Sequence, residues 1–150
     1  MRIITAQAHI ETQPEATLPS QLPLDELTRY HPVRSLFTVK VLDVGNLSVT
    51  LSLKWRHPNP GSGNVLGGAL GCIVDHAARL AAQPVLGQCE LVESELRSHR
   101  AIPGNTLLVT ARIIDAHADC ATFHCDVHAL ENKRYVWVAD SQGTLSIAAE

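Results

Sequence analysis

Asp75 is the one carboxylate inside an apolar, helix-favouring stretch that runs from Ala69 to Ala82. A stretch that is apolar nearly all round is typical of a buried helix, where a charge is costly unless it is paired or used in a reaction. Gly67 and Gly68 precede it. The first turn of a helix presents unpaired backbone N–H groups that can bind an oxyanion, and glycine lets a substrate approach closely. Asp75 could act as a general base or as a nucleophile, so we expect any chemistry at this helix.

Each of these features also has a structural interpretation. The glycine pair could serve a tight approach of the helix to the rest of the fold. Asp75 could form an ion pair with Arg79, four positions later, which is a common contact on helices. Cys72 and His76 could form a thiolate–imidazole pair, although a buried cysteine usually packs as a small apolar side chain.

The sequence on either side of this helix predicts β-strands. Leu47 to Trp55 alternates strictly between apolar and polar residues, which predicts a strand with one buried face. Leu36 to Val44 precedes it and should pair with it as a hairpin. Four further strand-like stretches follow the helix: Gln88 to Leu96, Thr106 to Ile114, Cys120 to Leu130 and Tyr135 to Ile147. We therefore predict an α+β domain, in which a curled antiparallel sheet of about six strands wraps one long central helix.

The length of 150 residues is enough for one domain with a substantial core. We expect residues 24–150 to form that domain, beginning with a short helix from Leu24 to Tyr30. Residues 1–23 combine polar residues with prolines and should form a loosely ordered N-terminal arm.

Charge and composition exclude several classes of partner. The net charge is −3, which gives no electrostatic basis for binding nucleic acid or an anionic membrane surface. No apolar run approaches the ~20 residues of a membrane-spanning helix, and we find no secretory signal. The four cysteines show no CxxC spacing, so a reduced, cytoplasmic setting is the simplest expectation.

The helix and its approach resemble a known family. The sequence Gly63-x-x-Leu66-Gly67-Gly68, with Asp75 seven residues after the second glycine, is similar to the Gly-x-x-His-Gly-Gly motif and following Asp of hotdog-fold acyl-CoA thioesterases. The likeness is greatest to the small thioesterases of the phenylacetate pathway. It extends to the order of elements, the turn Pro103-Gly104-Asn105 and the segment Gly143-Thr144-Leu145, and covers roughly Tyr30 to Ala148.

The resemblance implies hydrolysis of an acyl-CoA or related acyl thioester, with the Gly68 amide polarising the carbonyl and Asp75 acting as base or nucleophile. Seven residues of helix separate Gly68 from Asp75 by about 10 Å along the axis, so one thioester cannot easily touch both within one subunit. A site shared by two subunits solves this, and the resemblance also implies a homodimer or a dimer of dimers. Coenzyme A is then part of the substrate, and no separate cofactor is expected. Further candidate substrate-binding residues are Asn59, Gly63, Asn64, Leu66, Gly67, Arg97 and Arg100.

Leu66 stands where the family has histidine. This replacement favours an alternative function, that of a non-catalytic hotdog protein that binds an acyl or aromatic ligand.

Two clusters outside the helix carry polar side chains. Arg97, His99 and Arg100 could hold the phosphates of coenzyme A, or they could form a solvated basic loop. On the stretch after Cys120, His124, Asp126 and His128 share one strand face. His-x-Asp-x-His can chelate a metal, but a polar outer face or an interface is the default interpretation, and we assign no metal.

Overall fold

The computed structural model describes residues 33–59 and 64–148. In chain order the elements are α1 (Val33–Leu36), β1 (Phe37–Gly45), β2 (Ser48–Trp55), α2 (Asn64–Leu86), β3 (Cys89–Ser98), β4 (Thr106–Ala116), β5 (Cys120–Glu131) and β6 (Arg134–Ile147). The predicted arm over residues 1–23 and the predicted short helix from Leu24 to Tyr30 lie outside the described residues.

The strands form one antiparallel sheet in the order β1-β2-β4-β5-β6-β3. The predicted hairpin of β1 and β2 is present, and its turn holds Leu47 at a φ of 59°. β3 does not pair with β4, the next strand along the chain, but joins the far edge beside β6. The predicted fold class, a curled antiparallel sheet of six strands around one long helix, is confirmed.

Packing between α2 and the sheet forms the core. The alternation of β2 is confirmed, since Val49, Leu51, Leu53 and Trp55 are all buried. They meet buried residues of α2 such as Ile73, and β4 and β5 contribute further apolar side chains to the same face. We call this side of the sheet the inner face, and the side turned away from α2 the outer face.

The helix is longer than the sequence indicated. It runs from Asn64 to Leu86, whereas the apolar pattern predicted Ala69 to Ala82. The glycines at its start and Pro84 near its end lower helix propensity. Packing against the sheet compensates for that cost, because most helix stability in proteins comes from the buried face. In the part of the chain that the structure describes, no helix is long and apolar enough to cross a membrane.

Candidate functional site

One side of α2 is not covered by the sheet. Because residues three and four positions apart lie on the same side of a helix, the partly or fully exposed residues of α2 between Leu66 and Leu80 form a single stripe, which we call the open helix face. Its members are Gly67, Gly68, Gly71, Cys72, Asp75 and Arg79. The structure thus brings the predicted residues Gly67, Gly68 and Asp75 onto one accessible surface.

The glycines of this face are not required by the packing of the described chain. A Cβ added at Gly67, Gly68 or Gly71 would meet no atom within 4 Å, and none of the three has a positive φ. This disagrees with the interpretation that the glycine pair serves a tight approach to the sheet. Glycine within a helix costs about 0.5–1 kcal/mol relative to alanine. The open space instead leaves room for a substrate or a second subunit to reach the helix backbone.

The earlier start of α2 changes the position of Gly68 in the helix. In a helix that begins at Asn64, the i→i−4 ladder pairs the Gly68 N–H with the carbonyl of Asn64, so the unpaired donors lie one turn earlier. The backbone N–H groups that have no partner within the helix are those of Asn64, Val65 and Leu66. The sequence placed Gly68 at the helix start because the apolar pattern begins only at Ala69.

Asp75 is held by Arg79. The Arg79 Nε donates a hydrogen bond of 2.8 Å to Asp75 Oδ1, and its Nη1 donates one of 2.8 Å to the backbone carbonyl of Cys89 at the start of β3. The Asp75 side chain is 18% exposed and that of Arg79 is 40% exposed. The ion pair that the sequence suggested for Asp75 therefore forms, on the open helix face.

Two thiols lie near this carboxylate. Burial raises the pKa of the Cys72 thiol, and the charge of Asp75 raises it further. Burial also raises the pKa of the Cys89 thiol, against a lowering effect of Arg79. Both thiols are thus protonated at neutral pH. His76 is buried, at 2% exposure, whereas Cys72 lies on the open face, so these features do not favour a thiolate–imidazole pair.

The other candidates near the helix start have different positions. Leu66 is only 6% exposed and packs in the core, so its side chain is not on the open helix face. Gly63 lies outside the described residues, and Asn64 is described as the first residue of α2. The Nδ2 of Asn59 donates hydrogen bonds to the carbonyls of Ile102 (3.0 Å) and Gly104 (2.6 Å). Through these two hydrogen bonds, Asn59 links the chain after β2 to the Pro103-Gly104 turn. The sequence did not indicate this role.

Arg97 and Arg100 already have acidic partners. Arg97 lies on the outer face, where its Nη2 donates to Asp140 Oδ2 at 3.0 Å. Arg100 contacts both carboxylate oxygens of Glu131 at 3.3 Å. Within one subunit, Arg97 is therefore on the opposite side of the sheet from Gly68 and Asp75.

The outer face carries a polar network that the sequence did not reveal. Asp126 on β5 lies opposite Asp140 on β6, and they are 5% and 3% exposed. Trp137 Nε1 donates to Asp126 at 3.1 Å, and the Trp137 ring stacks on His99 at 3.9 Å.

Asp140 is the centre of this network. His99 Nε2 lies 2.8 Å from its Oδ1. Burial by itself would raise the pKa of Asp140, but hydrogen bonds from His99 and Arg97 outweigh it and hold the pKa below the ordinary value. His124 also contacts Asp140, at 3.5 Å. Over residues 33–59 and 64–148 no group of three His, Cys, Asp or Glu side chains is arranged to hold a metal ion.

A six-stranded antiparallel sheet curled around one long helix defines the hotdog fold. The chain is similar in structure to a thioesterase family protein from Silicibacter pomeroyi (TM-score 0.71, 15% identity, 82% of this chain and 93% of that chain). It is also similar to a hypothetical thioesterase from Streptococcus pneumoniae with coenzyme A (TM-score 0.69, 12% identity, 84% and 98%). A third is a mutant of the phenylacetic acid degradation protein PaaI from Thermus thermophilus (TM-score 0.62, 20% identity, 77% and 97%).

The sequence matches no protein-family model and no curated protein. The resemblance predicted from the sequence is confirmed at the level of the fold.

Proposed function

We propose that the protein hydrolyses an acyl-CoA or a related acyl thioester at a site shared between two subunits. The observation that carries this proposal is the open helix face, where the Asp75 carboxylate and a stretch of accessible, glycine-lined backbone lie on one helix. Structures with the same fold that are described as thioesterases, one of them with coenzyme A, support the choice of substrate class.

The two parts of the site must come from different subunits. The unpaired N–H groups of α2 end at Leu66, and nine residues of helix separate Leu66 from Asp75 by about 13 Å along the axis. A single thioester group therefore cannot contact both the Leu66 N–H and Asp75 of the same subunit. In a dimer, the helix start of one subunit would bind the carbonyl oxygen of the thioester, with Gly67 and Gly68 giving it access, while Asp75 of the other subunit would face the carbonyl carbon.

Asp75 then has one of two roles. As a general base, its carboxylate accepts a proton from water while the water oxygen attacks the carbonyl carbon. The oxyanion is stabilised by the N–H groups of α2, the C–S bond breaks, and the proton passes to the leaving thiolate. As a nucleophile, the carboxylate attacks the same carbon and expels the thiolate, and water then hydrolyses the mixed anhydride.

A single turnover in ¹⁸O-labelled water tests for a mixed anhydride that water opens at the aspartyl carbon. A general base delivers the label to the product acid in the first turnover, and so does attack of water on the acyl carbon of an anhydride. If water attacks the aspartyl carbon of a mixed anhydride, the first product remains unlabelled and the label enters the enzyme.

The proposal is tested by a panel of acyl-CoA substrates with detection of the released thiol. Asp75→Asn keeps the shape of the side chain but removes the base and the nucleophile, so turnover should fall by about 10² or more. Asp119→Asn, in the exposed turn between β4 and β5, is the matched control and should retain wild-type turnover. Hydrolysis that survives Asp75→Asn would contradict the proposal.

A second candidate is a non-catalytic hotdog protein that binds an acyl or aromatic ligand. It is favoured by Leu66, which stands in the place of the family histidine and is directed into the core. In that case calorimetry would detect binding of a thioester that the protein leaves intact. Hydrolysis that appears or rises in Leu66→His, which restores the family residue, would indicate a site that had drifted toward binding.

A further inference from the structure

Arg79 connects the proposed catalytic carboxylate to a second element of the fold. Its guanidinium bridges Asp75 on α2 and the backbone carbonyl of Cys89 at the start of β3, with both hydrogen bonds at 2.8 Å. The guanidinium is planar and rigid, so two anchors on different elements fix its position. A carboxylate bonded to a fixed donor is restricted in its own orientation.

The same contact acts on the charge of Asp75. An opposite charge at hydrogen-bonding distance favours the ionised form of a carboxyl group, and the partial burial of the pair reduces screening by solvent. Among the described residues, the thiols of Cys72 on α2 and Cys89 on β3 also interact with the charge of Asp75, and both are neutral. Arg79, with its Nε 2.8 Å from Asp75 Oδ1, is a cation on the open helix face that can keep this carboxylate ionised.

We infer that Arg79 is a positioning residue for Asp75, which it helps to hold ionised and in one orientation on the open helix face. This inference rests on the proposed function, because it concerns the carboxylate that acts on the thioester. Arg79 itself does not touch the reacting atoms. An ion pair with a purely structural purpose would make the same contacts but would have no influence on how the reaction depends on pH.

The test is the pH dependence of kcat/KM for acyl-CoA hydrolysis in wild type, Arg79→Met and Arg79→Lys. Arg79→Met keeps the apolar stem but removes the charge and both hydrogen bonds. Since the carboxyl group then loses its cation, the acid limb of the profile should move upward by about one pH unit or more. At neutral pH, kcat should also fall about tenfold through loss of orientation.

Arg79→Lys retains the charge but lacks the planar fork. Its acid limb should remain near that of wild type, while kcat stays reduced. The position of the limb does not depend on the amount of folded enzyme as long as the folded fraction is constant across the pH range, which circular dichroism of each variant checks. An acid limb and kcat in Arg79→Met equal to those of wild type would overturn the inference.

Asp75→Asn, measured beside these variants, separates the two proposals. If Asp75→Asn abolishes turnover while Arg79→Met leaves the profile unchanged, the positioning role is refuted and the thioesterase proposal stands. If Asp75→Asn retains full turnover, the proposed function itself fails.

Discussion

Alanine at the glycines of the open helix face should stabilise the subunit while impairing its activity. Gly67 and Gly68 lie within α2, and an added Cβ at either position meets no atom within 4 Å. Replacing both by alanine should therefore contribute about 1–2 kcal/mol of helix propensity without a steric cost. For a domain of this size, each kcal/mol corresponds to about 2–4 °C, so the melting temperature of the subunit should rise by about 2–8 °C.

The same two methyl groups would occupy the space through which a substrate or a partner subunit reaches the backbone. We therefore expect thioester hydrolysis to fall by about tenfold or more, since a displacement near 1 Å at a reacting group can cost more than that. The assays are thermal unfolding of dilute protein, where the subunit is measured with least contribution from association, and acyl-CoA turnover. A lower melting temperature would show that the space is filled within the chain. Unchanged turnover would refute the use of the open backbone.

The remaining predictions concern other parts of the fold. Gly143→Ala should have the opposite effect to alanine at the helix glycines, because its Cβ would clash with the Glu93 carbonyl and lie 2.9 Å from the Phe123 ring. Urea unfolding should show that the free energy of unfolding falls by about 1–3 kcal/mol. An unchanged midpoint of unfolding would contradict this prediction. The pKa of Asp140 is lowered in the folded state, so its contribution to stability is present above the unfolded value of about 3.9 and is lost as the pH falls through the folded value. Asp140→Asn should therefore lower the unfolding free energy at pH 7 and flatten its decline below about pH 4, whereas equal declines in both proteins would count against the network. If Arg97 and Arg100 bind the phosphates of coenzyme A, neutralising both should raise KM more than it lowers kcat. Unchanged kinetics would indicate that the two residues only form surface ion pairs. Among the described residues β1 and β3 are the edge strands of the sheet, and edges of this kind predict at least a dimer in light scattering. A well-folded monomer at micromolar concentration would exclude the shared site.

The fold class and the helix at which to look for chemistry could both be predicted from the sequence. The alternation of β2 and the apolar run of α2 are local periodic patterns, and they encode which face of each element is buried. Asp75 could be selected from the sequence because a lone carboxylate in an apolar helix is costly, and the Gly67-Gly68 pair because glycine is unusual there.

The order of the strands and the partners of the charged groups on the strands depend on the tertiary structure, because they join residues that are far apart in the sequence. β3 lies beside β6 rather than β4, so Arg97 meets Asp140 at a separation of 43 residues, which no local pattern encodes. That pairing placed Arg97 on the outer face and assembled a network around two buried carboxylates. The start of α2 at Asn64 was likewise set by packing, which extends a helix through residues of low propensity, and it shifted the unpaired N–H groups from Gly68 to the preceding turn.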